Sequence, residues 1–280
     1  MNKKTCIVIS GPTAVGKTSY GINLALTYNT QIISADSRQC FKELNIGVAK
    51  PSQEQLQKVK HYFINTHSIH EEVNVKIFEE YALKAAAEIF ENNDIAIMVG
   101  GTGLYIKAFI EGMDDMPQVS ENIHKEINEK YHLHGFLWLH NEIKLHDPDF
   151  YTKGEMQNPQ RMLRALEIKM STGKSILDFH LGKKAERNFE IQNMVLELTR
   201  EQLYHNINNR VDQMMKDGFL KEAENLFPYR NLNALQTVGY KELFGYFDGK
   251  FSLEKAIEEI KKNTRHYAKR QMTWFGKYKV

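Results

Sequence analysis

The chain has 280 residues, 42% hydrophobic and 26% charged, with 17 Gly, 6 Pro and 2 Cys. This excludes intrinsic disorder, a collagen-like repeat and a disulfide scaffold, and the length suits one domain carrying an insertion, or two domains. The formal net charge of +2 hides an asymmetry: residues 261–280 hold seven Lys or Arg (Lys261, Lys262, Arg265, Lys269, Arg270, Lys277, Lys279) and no Asp or Glu, so a polyanionic partner is expected at one place.

In chain order, Lys3-Lys4 and the short apolar run 5–10 mimic the start of a signal peptide. The run is too short for one and leads straight into a glycine-rich loop at 11–18, so it reads as a first strand. A helix follows to about Tyr28, then a strand at 31–35, a helical pattern at 76–90 and a strand at 94–99. No stretch is apolar for the 18 or so residues a membrane span needs; 96–110 is broken by three glycines and Lys107. Cys6 and Cys40 read as buried thiols in a reducing cytosol, and a cytoplasmic protein is expected. From about Met113 to Gly182 the text turns polar, His-rich and helical in period. Residues 192–198 look like a strand returning to the sheet, and 201–278 are helical with a break at Phe227-Pro228. The reading is an α/β core of 1–112 and 186–280, a parallel sheet flanked by helices, with a smaller all-helical insertion domain at 113–185.

Gly11-Pro12-Thr13-Ala14-Val15-Gly16-Lys17-Thr18 fits G-x-x-x-x-G-K-[ST] between a predicted strand and a predicted helix. Glycines let backbone N–H groups turn inward, the helix N-terminus adds partial positive charge, and Lys17 adds a full one. The Thr18 hydroxyl is placed for Mg²⁺. Such a loop recognises a di- or triphosphate group and nothing finer. An ATP-using kinase, a hydrolysing switch or motor, and an enzyme with diphosphate as leaving group all remain open. No Asp-x-x-Gly or Asn-Lys-x-Asp appears in the chain, which weakens the switch.

Asp36 follows the strand 31–35, so it shares the carboxyl edge of the sheet with the loop. There it can hold Mg²⁺ through water, take a proton from a nucleophile, or merely cap the next turn. Gly100-Gly101-Thr102-Gly103 lies on the same edge, where glycine would let a ligand approach the backbone. Two stretches suit RNA. A helix beginning at Pro159 puts Arg161 and Arg164 on one face; the plainer reading is a solvated face paired to Glu167. Later, Lys262, Arg265 and Lys269 align at i, i+3, i+7 among aromatics, with Tyr267 able to stack on bases and Trp274 equally suited to the core. His61, His67, His70, His132 and His134 lack the spacing of a zinc site.

Together these motifs resemble the tRNA dimethylallyltransferase (isopentenyltransferase) family over nearly the whole chain. The carriers are residues 11–18, Asp36-Ser37-Arg38-Gln39, the segments 45–51 and 99–105, 160–167, Gln236-Thr237-Val238-Gly239-Tyr240-Lys241-Glu242, and 267–275. The resemblance implies a P-loop NTPase-like fold and transfer of a dimethylallyl group from dimethylallyl diphosphate to N6 of the adenine just 3′ of the anticodon, releasing diphosphate. By likeness Asp36 is the general base, Lys17 and Thr18 act with it, and Thr18 binds Mg²⁺. The phosphate loop and Arg210 hold the diphosphate. Asp36, Ser37, Arg38, Gln39, Thr102, Gln160, Arg161, Met162, Leu163, Arg164, Gln236, Thr237, Val238, Gly239, Tyr240, Lys241, Lys262, Arg265 and Lys269 touch the tRNA anticodon stem-loop. Nothing in the sequence demands a dimer, and a monomer is expected. Three departures stand out: Cys40-Phe41 where the family has Val-Tyr, Asn65 where it has Asp, and Asn206 where it has Arg. The competing readings are a small-molecule or nucleoside kinase, and an RNA-binding protein with a vestigial loop. The second sits badly with the presence of Lys17, Thr18 and Asp36 together.

Overall fold

The computed structural model describes residues 3–182 and 184–278. Lys279 of the basic tail lies outside them. In chain order the elements are β1 (Thr5–Ser10), α1 (Lys17–Thr27), β2 (Ile32–Ala35), α2 (Gln53–Lys58), β3 (His61–Tyr62), α3 (Val75–Asn92), β4 (Ile95–Gly100) and α4 (Gly103–Glu111). Then come α5 (Glu121–His146), α6 (Pro148–Lys153), α7 (Pro159–Thr172), β5 (Glu190–Val195), α8 (Arg200–Lys216), α9 (Phe219–Leu226), α10 (Tyr240–Phe247) and α11 (Leu253–Phe275). The chain divides into two compact units, Met1–Glu111 with Glu186–Val280, and Gly112–Ala185.

In the first unit five parallel strands lie in the order β3-β2-β4-β1-β5. Strands buried on both faces need continuous apolar runs, and β1 and β2 are buried almost throughout. The connection leaving β1 runs toward β2, and the one leaving β4 runs toward β5. The two connections therefore leave this neighbouring pair in opposite directions, and the loops after β1 and β4 both line the crevice at the carboxyl ends. The sequence missed β3, which is two residues long. β5 ends three residues earlier than the pattern suggested, because its register with β1 pairs Val195 with Ser10 and closes with Leu196 N–H donating to the Ser10 carbonyl. The break at Phe227-Pro228 is real: α9 gives way there to a single 3₁₀ turn.

The second unit is helical and has its own core, in which Leu139, Ile143, Phe150, Met162, Leu163 and Leu166 are buried. Asn158 caps α7 by accepting from the N–H groups of Gln160 and Arg161, with Pro159 at the first helical position. Gly135, at φ 72°, interrupts α5 with a kink.

Candidate active site

The phosphate loop turns from β1 into α1 through Gly16, whose φ of 98° belongs to glycine, and Ala14, held at φ 63° against its preference. Ala14 is pinned: the Asn206 side chain of α8 donates to its carbonyl at 3.2 Å, and its methyl packs with Leu203, Ile207 and Ala268. At the Asn206 departure the amide thus keeps a tie to the loop without a charge. Lys17 Nζ folds back onto the loop, donating to the carbonyls of Gly11 (2.9 Å) and Pro12 (2.7 Å). Burial, with the nearby Arg210 guanidinium, pulls the Lys17 ammonium down to about 7, against a smaller opposing pull from Asp36. Arg210, itself lowered by burial, donates to Thr13 Oγ1 at 2.9 Å.

Asp36 stands just past β2. Its Oδ1 accepts the N–H groups of Arg38 (2.9 Å) and Gln39 (3.2 Å), and Oδ2 has no hydrogen-bond partner among the described residues. The turn-capping reading and the chemical reading are therefore compatible, because tying down one oxygen fixes the aim of the other. Two cavities, of about 400 and 440 Å³, meet here and share Thr13, Asp36, Val48, Arg210 and Tyr267. The first takes in Lys17 and Thr18, and its lining also includes the apolar Ile32, Ile64 and Val99. The second is lined by Ser37, Arg38, Gln236, Thr237, Val238, Gly239 and Lys241.

Several side chains expected at an RNA surface have internal duties. Gln39 faces the first cavity and donates to the carbonyls of Val48 (3.3 Å) and Ala49 (3.2 Å). Thr102 Oγ1 accepts the Ser37 N–H at 3.0 Å, and Arg38 donates to the Asn233 carbonyl at 2.9 Å. Tyr240 is fully buried, its hydroxyl donating to Glu222 at 2.6 Å and held well above the ordinary phenol range by burial. Met162 and Leu163 are core residues of the helical unit, which corrects the expectation that their side chains meet RNA; the same helix leaves Gln160 and Arg161 exposed. Arg161 pairs with Glu155, and Arg164 with Glu167 at 3.5 Å, so the plainer reading holds for the Arg164 pairing alone, and there Glu167 is buried and not part of a solvated face. On α11, Lys262 and Lys269 are exposed, but Arg265 is half-buried and donates to Asn208 of α8 at 2.7 Å.

The Gly-Gly-Thr-Gly glycines also have a packing duty that the sequence did not show. A Cβ on Gly100 would strike the Ala35 carbonyl of β2, one on Gly101 the Gln271 amide, and one on Gly103 the Trp274 indole. On their Cβ side these glycines admit neighbouring parts of the protein, while Gly100 and Gly101 also line the first cavity. Sequence reasoning also missed Glu222, whose carboxylate accepts the N–H groups of Asn45 (3.2 Å), Ile46 (2.9 Å) and Gly47 (2.9 Å) and so holds the loop beside the second cavity. Nothing local marks it, since its partners lie some 175 residues away.

The other two departures have local accounts. Phe41 is buried in the core, where a ring without a hydroxyl fits. Asn65 Oδ1 accepts from Lys50 at 2.5 Å. No group of three or more His, Cys, Asp or Glu able to hold a metal occurs among the described residues, nor does any helix long and apolar enough to cross a membrane.

Comparison with known proteins agrees with this geometry. A family model described as IPP transferase matches residues 39–278. The tRNA dimethylallyltransferase of Christiangramia forsetii is 49% identical over 271 residues, covering 97% of this chain and 90% of that protein. That of Flavobacterium johnsoniae is 49% identical over 278 residues, with the same coverage. Among solved structures, the tRNA isopentenylpyrophosphate transferase of Bacillus halodurans superposes with a TM-score of 0.69 at 35% identity, over 98% of this chain and 87% of that one. A eukaryotic dimethylallyltransferase acting on tRNA gives 0.79 at 30% identity, over 97% and 70%. By pattern, by identity and by fold, the chain belongs to the IPP transferase family.

Proposed function

We propose that this protein transfers a dimethylallyl group from dimethylallyl diphosphate to N6 of the adenine 3′-adjacent to the anticodon of tRNA. The observation that carries the reading is the position of Asp36, shared by a phosphate-loop cavity with apolar side chains in its lining and a second cavity, with one carboxylate oxygen unbonded among the described residues. The names of the relatives at 49% identity support the same chemistry.

The diphosphate lies against the loop, where Lys17, Arg210 and the backbone N–H groups neutralise charge that grows on the leaving oxygens. The allylic carbon points along the first cavity toward Asp36. The acceptor adenine, turned out of its stack, enters through the second. The C–O bond to diphosphate breaks with its electron pair on oxygen, the N6–C bond forms, and the N6 proton passes to Asp36 Oδ2. An exocyclic amine whose lone pair is delocalised into the ring is a weak nucleophile, so removing that proton as the bond forms lowers the barrier. Holding the amine in line removes much of the remaining entropy cost.

A divalent ion fits the site. Thr18 lines the first cavity, its hydroxyl without a hydrogen-bond partner among the described residues, and those residues offer no all-protein cage. Thr18 would hold Mg²⁺, which would supply further neutralisation of the leaving group. We read the enzyme as a monomer.

Incubation with labelled dimethylallyl diphosphate or with γ-labelled ATP, each with and without tRNA, tests the assignment. Label is expected in tRNA from the allylic donor only. Phosphoryl transfer from ATP without incorporation of the allylic label would restore the kinase reading.

A further inference from the structure

Gln271 is 6% exposed and sits on the side of α11 that faces the sheet edge. Its Oε1 accepts the Thr13 N–H at 2.8 Å and its Nε2 donates to the Gly101 carbonyl at 2.8 Å. Thr13 belongs to the phosphate loop after β1, and Gly101 to the loop after β4, so one amide joins two loops that regular structure leaves unpaired. Only a carboxamide of this length offers an acceptor and a donor in one plane. The lack of a Cβ on Gly101 is what makes room for it. The Thr13 hydroxyl in turn receives Arg210, so whatever fixes the Thr13 backbone also fixes the seat of that guanidinium.

We propose that Gln271 is a positioning residue for the diphosphate: from the C-terminal helix it holds Thr13, and through Thr13 the phosphate loop and Arg210, in the anion-accepting arrangement. This rests on reading the loop as a diphosphate site. A buried amide with a purely structural duty would protect the fold, and its loss would weaken every ligand alike. A positioning amide acts on one ligand.

The test uses the full chain, with inorganic diphosphate as the calorimetric probe, tRNA retention on filters and thermal unfolding. Gln271→Leu removes both hydrogen bonds at similar volume. It is expected to weaken diphosphate about tenfold, the equivalent of roughly 1.4 kcal/mol, while tRNA affinity stays within about twofold. KM for the allylic donor should rise more than kcat falls. Gln271→Glu keeps an acceptor for Thr13 but sets a second oxygen against the Gly101 carbonyl and adds a charge near Lys17, whose Nζ lies 3.7 Å from where a Gly101 Cβ would be. It should weaken diphosphate while tRNA affinity is kept and KM for the allylic donor rises more than kcat falls, a selectivity that lost packing cannot produce, and it carries the test if the Leu variant does not fold. Wild-type diphosphate affinity and KM in folded variants overturn the inference alone. Wild-type protein that binds no diphosphate overturns the proposed function, and this inference with it.

Discussion

Because Asp36 Oδ1 is committed to the Arg38 and Gln39 amides, Asp36→Asn separates the two duties of the carboxylate. The amide oxygen still accepts both N–H groups, so the turn and the loop after it are retained, but the side chain can no longer take a proton. Turnover is expected to fall by about 10² or more with tRNA affinity within a few-fold. Asp36→Ala should match that loss and also unfold at lower temperature. Near-normal single-turnover rates for Asp36→Asn would remove the residue from the chemistry. Lys17 gives a second residue-scale outcome. Its ammonium is held at about 7 without ligand, and an anion in the loop raises that value. Binding therefore takes up a proton above pH 7, and affinity for diphosphate must fall as pH rises from 7 toward the bound-state value, by at most tenfold per unit. Calorimetry between pH 6.5 and about 9 should show the decline, and Lys17→Met should bind weakly and lose the protein's share of the slope. A wild-type slope no steeper than that of Lys17→Met would contradict the assignment.

The strand at the front of the chain and the loop after it were legible at the level of elements because both are local: an apolar run, then glycines at fixed spacing. The packing duty of the Gly-Gly-Thr-Gly turn was illegible for the opposite reason, since what crowds each glycine is distant in sequence. Gly100 meets the backbone of Ala35, which cannot retreat without breaking the β2–β4 pairing, while Gly103 meets an indole that can tilt. Gly100→Ala should therefore cost about 3 kcal/mol or more, and Gly103→Ala less. Chemical denaturation of the two gives the order, and the reverse order would mean the strand edge is softer than it looks. The same limit applies to α11. Its basic stripe was visible as a repeat, but only the fold reveals that Arg265 is tied to α8 while Lys269 stays free. Lys269→Ala should weaken tRNA binding and lower the slope of log affinity against log salt by about one. An unchanged slope would mean that RNA does not run along this helix.

At the scale of the whole molecule, the hydrophobic cores bear on how far the two units depend on each other. The main core draws on β1, β2, β4, α3 and the helices after β5, and the core of the helical unit draws only on residues between 116 and 179. The ends of the excursion are held together inside the first unit. Arg187 donates to the carbonyls of Phe109 and Ala108, each at 2.8 Å, and pairs with Glu79 at 2.8 Å, both side chains being largely buried. Arg187→Ala would leave the Glu79 charge without its partner, at a cost of about 3 kcal/mol. With α4 and the start of the return to β5 pinned this way, a short Gly-Ser linker in place of Gly112–Ala185 closes a small loop at little entropic cost. The shortened protein should unfold in one cooperative transition and bind inorganic diphosphate within a few-fold of the full chain. It should also bind tRNA more weakly, if Gln160 and Arg161 meet the nucleic acid. A core that collapses on excision would show that the helical unit holds the sheet together. Intact diphosphate binding with unchanged tRNA affinity would instead place the whole RNA surface on the strand-and-helix unit.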